Sequence, residues 1–451
     1  MAEKNGLVAD SCLEDQSSTT PSPSSSTHSK PSTPHHDELY HSLFHETGMP
    51  SQNPKKAKKS PQSDHPPSLP TLPHQIIAEI FSRLPVKALI KFRCVSKTFK
   101  TLFSDPQFIN AHLRKITSSS EKKPNRYQKI VLTYSGPPSS RHKSCSLYSI
   151  YNNLQTDAIE IGHFLLKDKY RYDWLVGSCD GLLCVAAKQN YVALWNPSTR
   201  VVDRLPGLGF GKKLGSYTVF GFGYDSEIDD YKVVAVFCFQ NRGGNGGIGY
   251  ETRVEVCTLW TKYWRRIEGF RYGVPCDVSG KYVNGSLIWP VMCERDSGLA
   301  WIIVSFDLAK ETYKEMVQPD YGEVGCDRTL GVLDGCLCVM CNYKADRADF
   351  WLMKEYGVRE SWTKLLSIPY LDDPGLLQYS VPYCIADNGE VLLEFKGLLI
   401  IYNPKDGAFR HPVINGACQW IEAEIYIETL VSPKVGNCNL ETTGMLANTE
   451  K

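Results

Sequence analysis

Long hydrophobic runs are missing from this 451-residue sequence. No segment approaches the roughly 18 apolar residues of a membrane-spanning helix, and no apolar stretch follows Met1 as a signal peptide would require. An excess of charge is missing too. Fifty Lys and Arg face 49 Asp and Glu, a formal net charge of +1. That removes the basic footprint of a nucleic-acid binder and any global acidic field for a basic partner. The linear signatures of catalysis are also missing: no G-x-G-x-x-G before a helix, no Walker A, no H-E-x-x-H, no G-x-S-x-G. Gly207-Leu208-Gly209-Phe210-Gly211-Lys212-Lys213 lacks the spacing and the Ser/Thr of a phosphate cradle and reads as a surface loop. Histidine is sparse and badly placed. Six of 11 fall in the first 68 residues without partners at ligand spacing; His74, His112, His142, His163 and His411 form no visible Cys–His or Ser–His set.

Cysteine, by contrast, is present 16 times. Cys179, Cys184, Cys238, Cys257 and Cys384 sit in apolar, strand-like runs and read as small buried residues in a reducing compartment. Cys336-x-Cys338-x-x-Cys341 is the best metal candidate. No second Cys/His pair stands near it, and structural zinc wants four ligands, so strand-core cysteines are the expectation. Pairs such as Asp180-Gly181 and Asp229-Asp230 read as turn formers before they read as catalytic acids. No cofactor, metal or catalytic residue is expected.

Residues 1–68 hold 14 Ser and 9 Pro and too little apolar side chain to offset the entropy of ordering, so they read as a disordered leader. Lys55-Lys56-Ala57-Lys58-Lys59 is either a solvated charge run or a nuclear import signal. Cytoplasm, nucleus or both is the expected location.

The helix signals concentrate between Leu69 and Phe108. Ile76, Ile77, Ile80, Phe81 and Leu84 recur at three- and four-residue spacing behind Pro73. Pro85 ends that segment and starts the next, with Val86, Leu89, Ile90 and Phe92. Val95, Phe99, Leu102 and Phe103 follow, and Asp105-Pro106 closes the run as a turn. Three short helices cannot bury much surface alone, so a partner helix is expected on them.

From Tyr127 to about Val431 the chain reads as short strands between Gly, Asn, Asp and Pro turns. A unit of roughly 40 to 50 residues repeats by eye. It opens at Trp174, Phe220, Val283, Leu330 and Gly389. Each unit has a strand after an Asp/Asn-Gly turn, a second ending at an Asn/Asp turn, and a short one with Trp or Phe. The fold class is mainly β: a three-helix unit, then a β-propeller-like domain of six or seven blades.

These residues carry a resemblance. Leu72-Pro73, Ile76, Ile80, Arg83-Leu84-Pro85-Val86-Lys87, Leu89, then Phe92-Arg93-Cys94-Val95-Ser96-Lys97 and Phe99, resemble the F-box. The later landmarks GSCDGLLC, WNPSTR, GFGYDSEIDDYKVV, VNGSLIW and YIETLVSP are similar, in order, to those of plant F-box proteins with an F-box-associated or kelch-like domain. His74 stands where that family usually has an acidic residue, and Phe99 where it usually has Trp. Kelch proteins proper carry a Gly-Gly in nearly every blade; here Gly243-Gly244 is in a glycine-rich loop rather than at a strand end, so kelch-like is as far as the likeness goes. The implied organisation is leader 1–68, F-box 69–113, linker 114–126, propeller-like domain 127–433 and flexible tail 434–451.

The resemblance implies a substrate-recognition subunit of a Skp1–cullin–F-box ubiquitin ligase. The F-box would bind a Skp1-type adaptor, and through it the cullin-1/RING subunits, by Leu72, Pro73, Ile76, Ile80, Leu84, Pro85, Val86 and Leu89. Val95 and Phe99 would lie in or beside the third-helix core. The β domain would present a protein target for ubiquitination. Its unusual loops, Lys167 to Trp174, Gln240 to Tyr250, Glu268 to Asp277 and Tyr370 to Tyr379, supply the candidate anchors Tyr170, Tyr172, Phe270, Arg271, Tyr272, Asp372 and Asp373. Such proteins act in plant defence, pollen–pistil recognition, hormone and stress signalling. Two other readings stay open: a propeller scaffold that assembles with no cullin, and an enzyme whose residues converge on a propeller face.

Overall fold

Proline sets where the first helices begin. Pro73 and Pro85, at φ −53° and −59°, lead α1 (His74–Phe81) and α2 (Val86–Phe92), positions where a missing N–H costs nothing. α3 (Lys97–Leu102) starts after Ser96, whose hydroxyl accepts the Thr98 N–H at 3.1 Å. Asp105-Pro106, expected as a closing turn, instead opens α4 (Pro106–Ser118). The Asp105 carboxylate accepts the N–H groups of Gln107 (2.7 Å) and Phe108 (3.3 Å), and Pro106 takes the first helical position. The unit therefore has four helices rather than three, and the last runs beyond 113 into residues expected to be linker.

A computed structural model describes residues 73–118, 126–134, 141–152, 155–162, 173–211, 213, 215–242, 248–277, 279–295, 298–322, 325–343, 346–370, 379–416 and 422–434. The 1–68 leader, Leu72 and the tail beyond Lys434 lie outside the described residues.

Six four-stranded blades are recognisable among the described residues. Blade 2 is Asp173–Cys179, Leu182–Ala187, Tyr191–Asn196 and Val201–Arg204. Blade 3 is Tyr217–Asp225, Asp230–Arg242, Ile248–Thr258 and Trp264–Ile267. Blade 4 is Ser279–Val283, Ser286–Arg295, Gly298–Asp307 and Thr312–Met316. Blade 5 is Asp327–Leu333, Cys336–Tyr343, Arg347–Met353 and Trp362–Pro369. Blade 6 is Cys384–Ile385, Val391–Phe395, Leu398–Asn403 and Ala408–Arg410. Blade 1 is assembled from both ends of the domain. Its inner strand, Glu422–Ile427, pairs antiparallel with Gln128–Tyr134, followed outward by Arg141–Ser146 and Ile159–Glu160. This closes the ring.

Apolar packing follows the ring. One buried cluster lies between each neighbouring pair of blades, six in all, because a sheet with two apolar faces must cover both. Glycine lets blades 3 and 4 touch. Their inner strands pair in parallel at Phe220/Ser279 and Gly221/Gly280, and a Cβ on Gly280 would meet the Trp289 indole at 2.5 Å. The same junction is locked by charge: buried Lys232 Nζ lies 2.8 Å from Asp225 and 3.1 Å from Glu311 and donates to the Leu308 carbonyl at 2.6 Å.

The two ends of the ring differ. Asp180-Gly181, Asn284-Gly285 and Asp334-Gly335 turn at one end with positive φ at both residues, as tight hairpins require. The helical unit sits on this near end. Ile109 and Leu113 of α4 pack on the cluster between blades 2 and 3. The strands that lead into the longer connections, ending at Glu160, Arg204, Ile267, Met316 and Pro369, end at the far end.

Candidate docking surfaces

α1 is amphipathic by sequence, yet none of its residues is buried. Ile76 and Ile80, four apart and so on one face, are 46% and 50% exposed. Pro73 and Pro85 are exposed as well, and Leu84 is half-buried. These five form the apolar edge among the eight expected contacts; Leu72 lies outside the described residues. Val86 and Leu89 are instead fully buried with Phe103, Phe108 and Leu430, where they build the unit's own core. Phe81 organises that core, with ring centroids 4.9 Å from Phe99, 5.1 Å from Phe103 and 5.5 Å from Phe92. Phe99 thus fills an interior place. Val95, expected beside it, is 72% exposed in the turn before α3, because the helix starts only after Ser96.

His112 of α4 braces the edge from behind. Its Nε2 lies 3.0 Å from the Leu84 carbonyl. Burial holds its pKa below the ordinary histidine range, and the Leu84 contact only partly opposes this, so the ring is neutral and donates. Lys115 reaches Glu79 at 2.6 Å and the Ser82 hydroxyl at 2.7 Å, tying α4 to α1.

The strands that flank all four candidate loops begin or end at the far end. Tyr170, Tyr172, Asp372 and Asp373 lie outside the described residues. Phe270 is buried, its ring centroid 6.0 Å from Trp289 and 5.1 Å from Tyr313, and its backbone N–H and carbonyl are both held by the Thr252 hydroxyl. Tyr272 is half-buried against the same cluster. Among the described candidates only Arg271 is fully at the surface, paired with Glu268. The glycine-rich insertion is mostly ladder: Asp230–Arg242 and Ile248–Thr258 pair as far as Arg242/Ile248, leaving exposed Tyr250 near the tip of a long hairpin.

The inner strands surround a cavity of about 450 Å³ lined, among others, by Asp277, Lys281, Tyr383 and Glu424. Linear reading missed it. Its only trace in the sequence is Glu422 and Glu424 alternating with Ala423, Ile425 and Ile427, charge on one side of an otherwise apolar strand. Of the metal candidates, Cys338 and Cys341 are buried in the strand Cys336–Tyr343 and Cys336 is half-buried, and burial pushes the Cys338 thiol up to about 12. Among the described residues no three His, Cys, Asp or Glu are grouped to hold a metal ion.

Two family descriptions match this chain: F-box domain over residues 69–110, and F-box associated beta propeller domain over residues 121–419. The chain belongs to the F-box associated propeller family. An F-box/kelch-repeat protein of Arabidopsis thaliana is 36% identical over 373 residues, covering 80% of this chain and 96% of its own. F-box protein CPR1 of the same plant is 31% identical over 358 residues, 74% of this chain and 81% of its own. A six-bladed lectin of Aleuria aurantia overlaps 66% of this chain and 99% of its own at 10% identity with a TM-score of 0.35, too loose a match to transfer anything. The F-box implies a role in binding a Skp1-type adaptor, and the propeller implies a protein-interaction scaffold.

The F-box is seated by the segment that follows the closing strand. Leu430 completes the F-box core and Val431 the cluster between blades 2 and 3. Lys87 of α2 lies 3.7 Å from Glu428. Asn196 donates to the carbonyls of Thr429 (3.1 Å) and Val431 (2.6 Å), and the Thr429 hydroxyl donates to the Asp180 carbonyl at 2.9 Å. Gly181 must be glycine here, since a Cβ would meet the Ile427 carbonyl at 2.5 Å. The strap thus fastens ring closure and F-box together.

Proposed function

We propose that this chain is the target receptor of a Skp1–cullin–F-box ubiquitin ligase, acting in cytoplasm, nucleus or both. α1 docks the adaptor, and the far end of the propeller holds the target. The observation that carries the reading is α1 itself: an F-box helix with no buried residue and an exposed Ile76/Ile80 pair. An apolar helical face left uncovered in the folded chain is what a groove-binding partner needs. The placement of long connections opposite the F-box supports the second half, because a target there would not compete with the adaptor for surface. The chain supplies no catalytic group in this role; it raises the effective concentration of a target near the conjugating machinery.

The test is capture of purified Skp1-type adaptor and cullin-1 by the full chain, beside Ile76→Ala/Ile80→Ala. Wild type should retain both, and the double variant should lose about tenfold or more in adaptor affinity at unchanged melting temperature. Failure of folded wild type to bind the adaptor, or equal binding by the double variant, overturns the reading. Adaptor capture without cullin would instead favour the scaffold alternative.

A further inference from the structure

The ring's channel carries charge that F-box docking leaves unexplained. Glu422 and Glu424 are two apart on the inner strand of blade 1 and so point to one side of it. Glu424, Asp277 and Lys281 line the cavity, and Asp277 and Lys281 both act electrostatically on Glu422. Three carboxylates therefore share one ammonium. From blade 6, Tyr383 also lines the cavity, its hydroxyl donated to Glu394 at 3.1 Å. Glu422 accepts the Leu175 N–H at 2.8 Å. Among the described residues no hydrogen bond or ion pair reaches the Glu424 carboxylate. It is half-buried in the channel wall and lines the cavity. A half-buried carboxylate that no hydrogen bond or ion pair holds, beside room for a side chain and sharing one ammonium with two other carboxylates, favours a positive group.

We propose that the channel is a receptor site for one organic cation, the guanidinium or ammonium of an Arg or Lys side chain, held between Glu424 and Asp277, with the charge of Glu422 beside them. The inference rests on the receptor reading above and names what a target must present. Carboxylates outnumber the single ammonium of Lys281, which argues against an anionic ligand, and that ammonium within the donor set argues against a bare metal ion. Burial pushes the Glu422 carboxyl up to about 8; the Leu175 N–H and Lys281 oppose this, and Glu424 and Asp277 add to it. Burial raises Glu424 as well, with Lys281 opposing. An arriving cation reverses these shifts, so binding releases protons and strengthens as pH rises through about 8.

The test is calorimetric titration of the full chain with blocked Gly-Arg-Gly, Gly-Gln-Gly and Gly-Glu-Gly peptides and with agmatine. The Arg peptide should bind at least about tenfold more tightly than the Gln peptide, release protons, and tighten between about pH 6.5 and about pH 8.5. Glu424→Gln should weaken it about tenfold, Glu422→Gln should do so in parallel, and the control Glu315→Gln, whose carboxylate pairs with Arg295 outside the cavity, should not. Equal or tighter binding of the Gln or Glu peptide overturns the proposal, as does unchanged Arg binding by a folded Glu424→Gln chain. Tighter binding of peptide than agmatine assigns the site to a chain-borne side chain, and the reverse to a free amine; both uphold the cation site. No adaptor enters this titration, so its failure and a failure of adaptor capture are separate results.

Discussion

The Asn196 carboxamide joins parts of the chain more than 230 residues apart. Its Oδ1 accepts the N–H groups of Ser198 and Thr199 at 2.8 and 3.1 Å, forming the turn that the sequence announces. Its Nδ2 holds the strap, and nothing local announces that. Asn196→Ala removes both and leaves two buried carbonyls without donors. A loss of about 3 kcal/mol is expected in urea unfolding, against a few tenths for an exposed Asn. Phe270 shows the same limit from the other side. An aromatic in a connecting segment looks the same in sequence whether it faces water or, as here, Trp289. Side-chain direction is decided by partners that the linear string does not bring near.

Among elements, α1 and α2 were equally legible as helices and unequally legible as surfaces. Periodicity marks an apolar face; it does not say whether the partner is the same chain. α1 turns Phe81 to the core but keeps its Ile76/Ile80 side uncovered, while Val86 and Leu89 of α2 meet Phe103, Phe108 and Leu430. Leu89→Ala should therefore cost about 2–5 kcal/mol of stability by opening a cavity, seen as a lower urea midpoint. Its adaptor affinity should stay near wild type wherever the chain is still folded. Ile76→Ala/Ile80→Ala should show the opposite pattern. The fourth helix escaped notice because Asp-Pro serves two devices equally well, a turn and an N-cap followed by a first-turn proline; only the continuation Phe108, Ile109, His112, Leu113 and Ile116 distinguishes them.

For the molecule as a whole, blades 2 to 6 were readable because each is a run of local hairpins with the same turn grammar. Blade 1 was not, since its inner strand comes from the far side of the sequence, beyond the 121–419 span of the family match. The channel carboxylates were hidden for the same reason: Asp277, Lys281 and Glu422 meet only when the ring closes. Because Leu430 belongs to the F-box core, F-box and propeller should melt in one transition. Leu430→Ala should speed hydrogen exchange of α2 amides by at least about tenfold, although more than 300 residues separate the two. Unchanged α2 protection would show that the F-box stands alone. The strap also orders events in time. The F-box helices leave the ribosome early, but the leucine that finishes their core follows about 20–60 s later at ordinary rates of synthesis. Until residues 428–432 have been made, the growing chain carries an adaptor-binding unit with an open core; a prematurely stopped product would carry one permanently, marked for disposal by its own exposed interior.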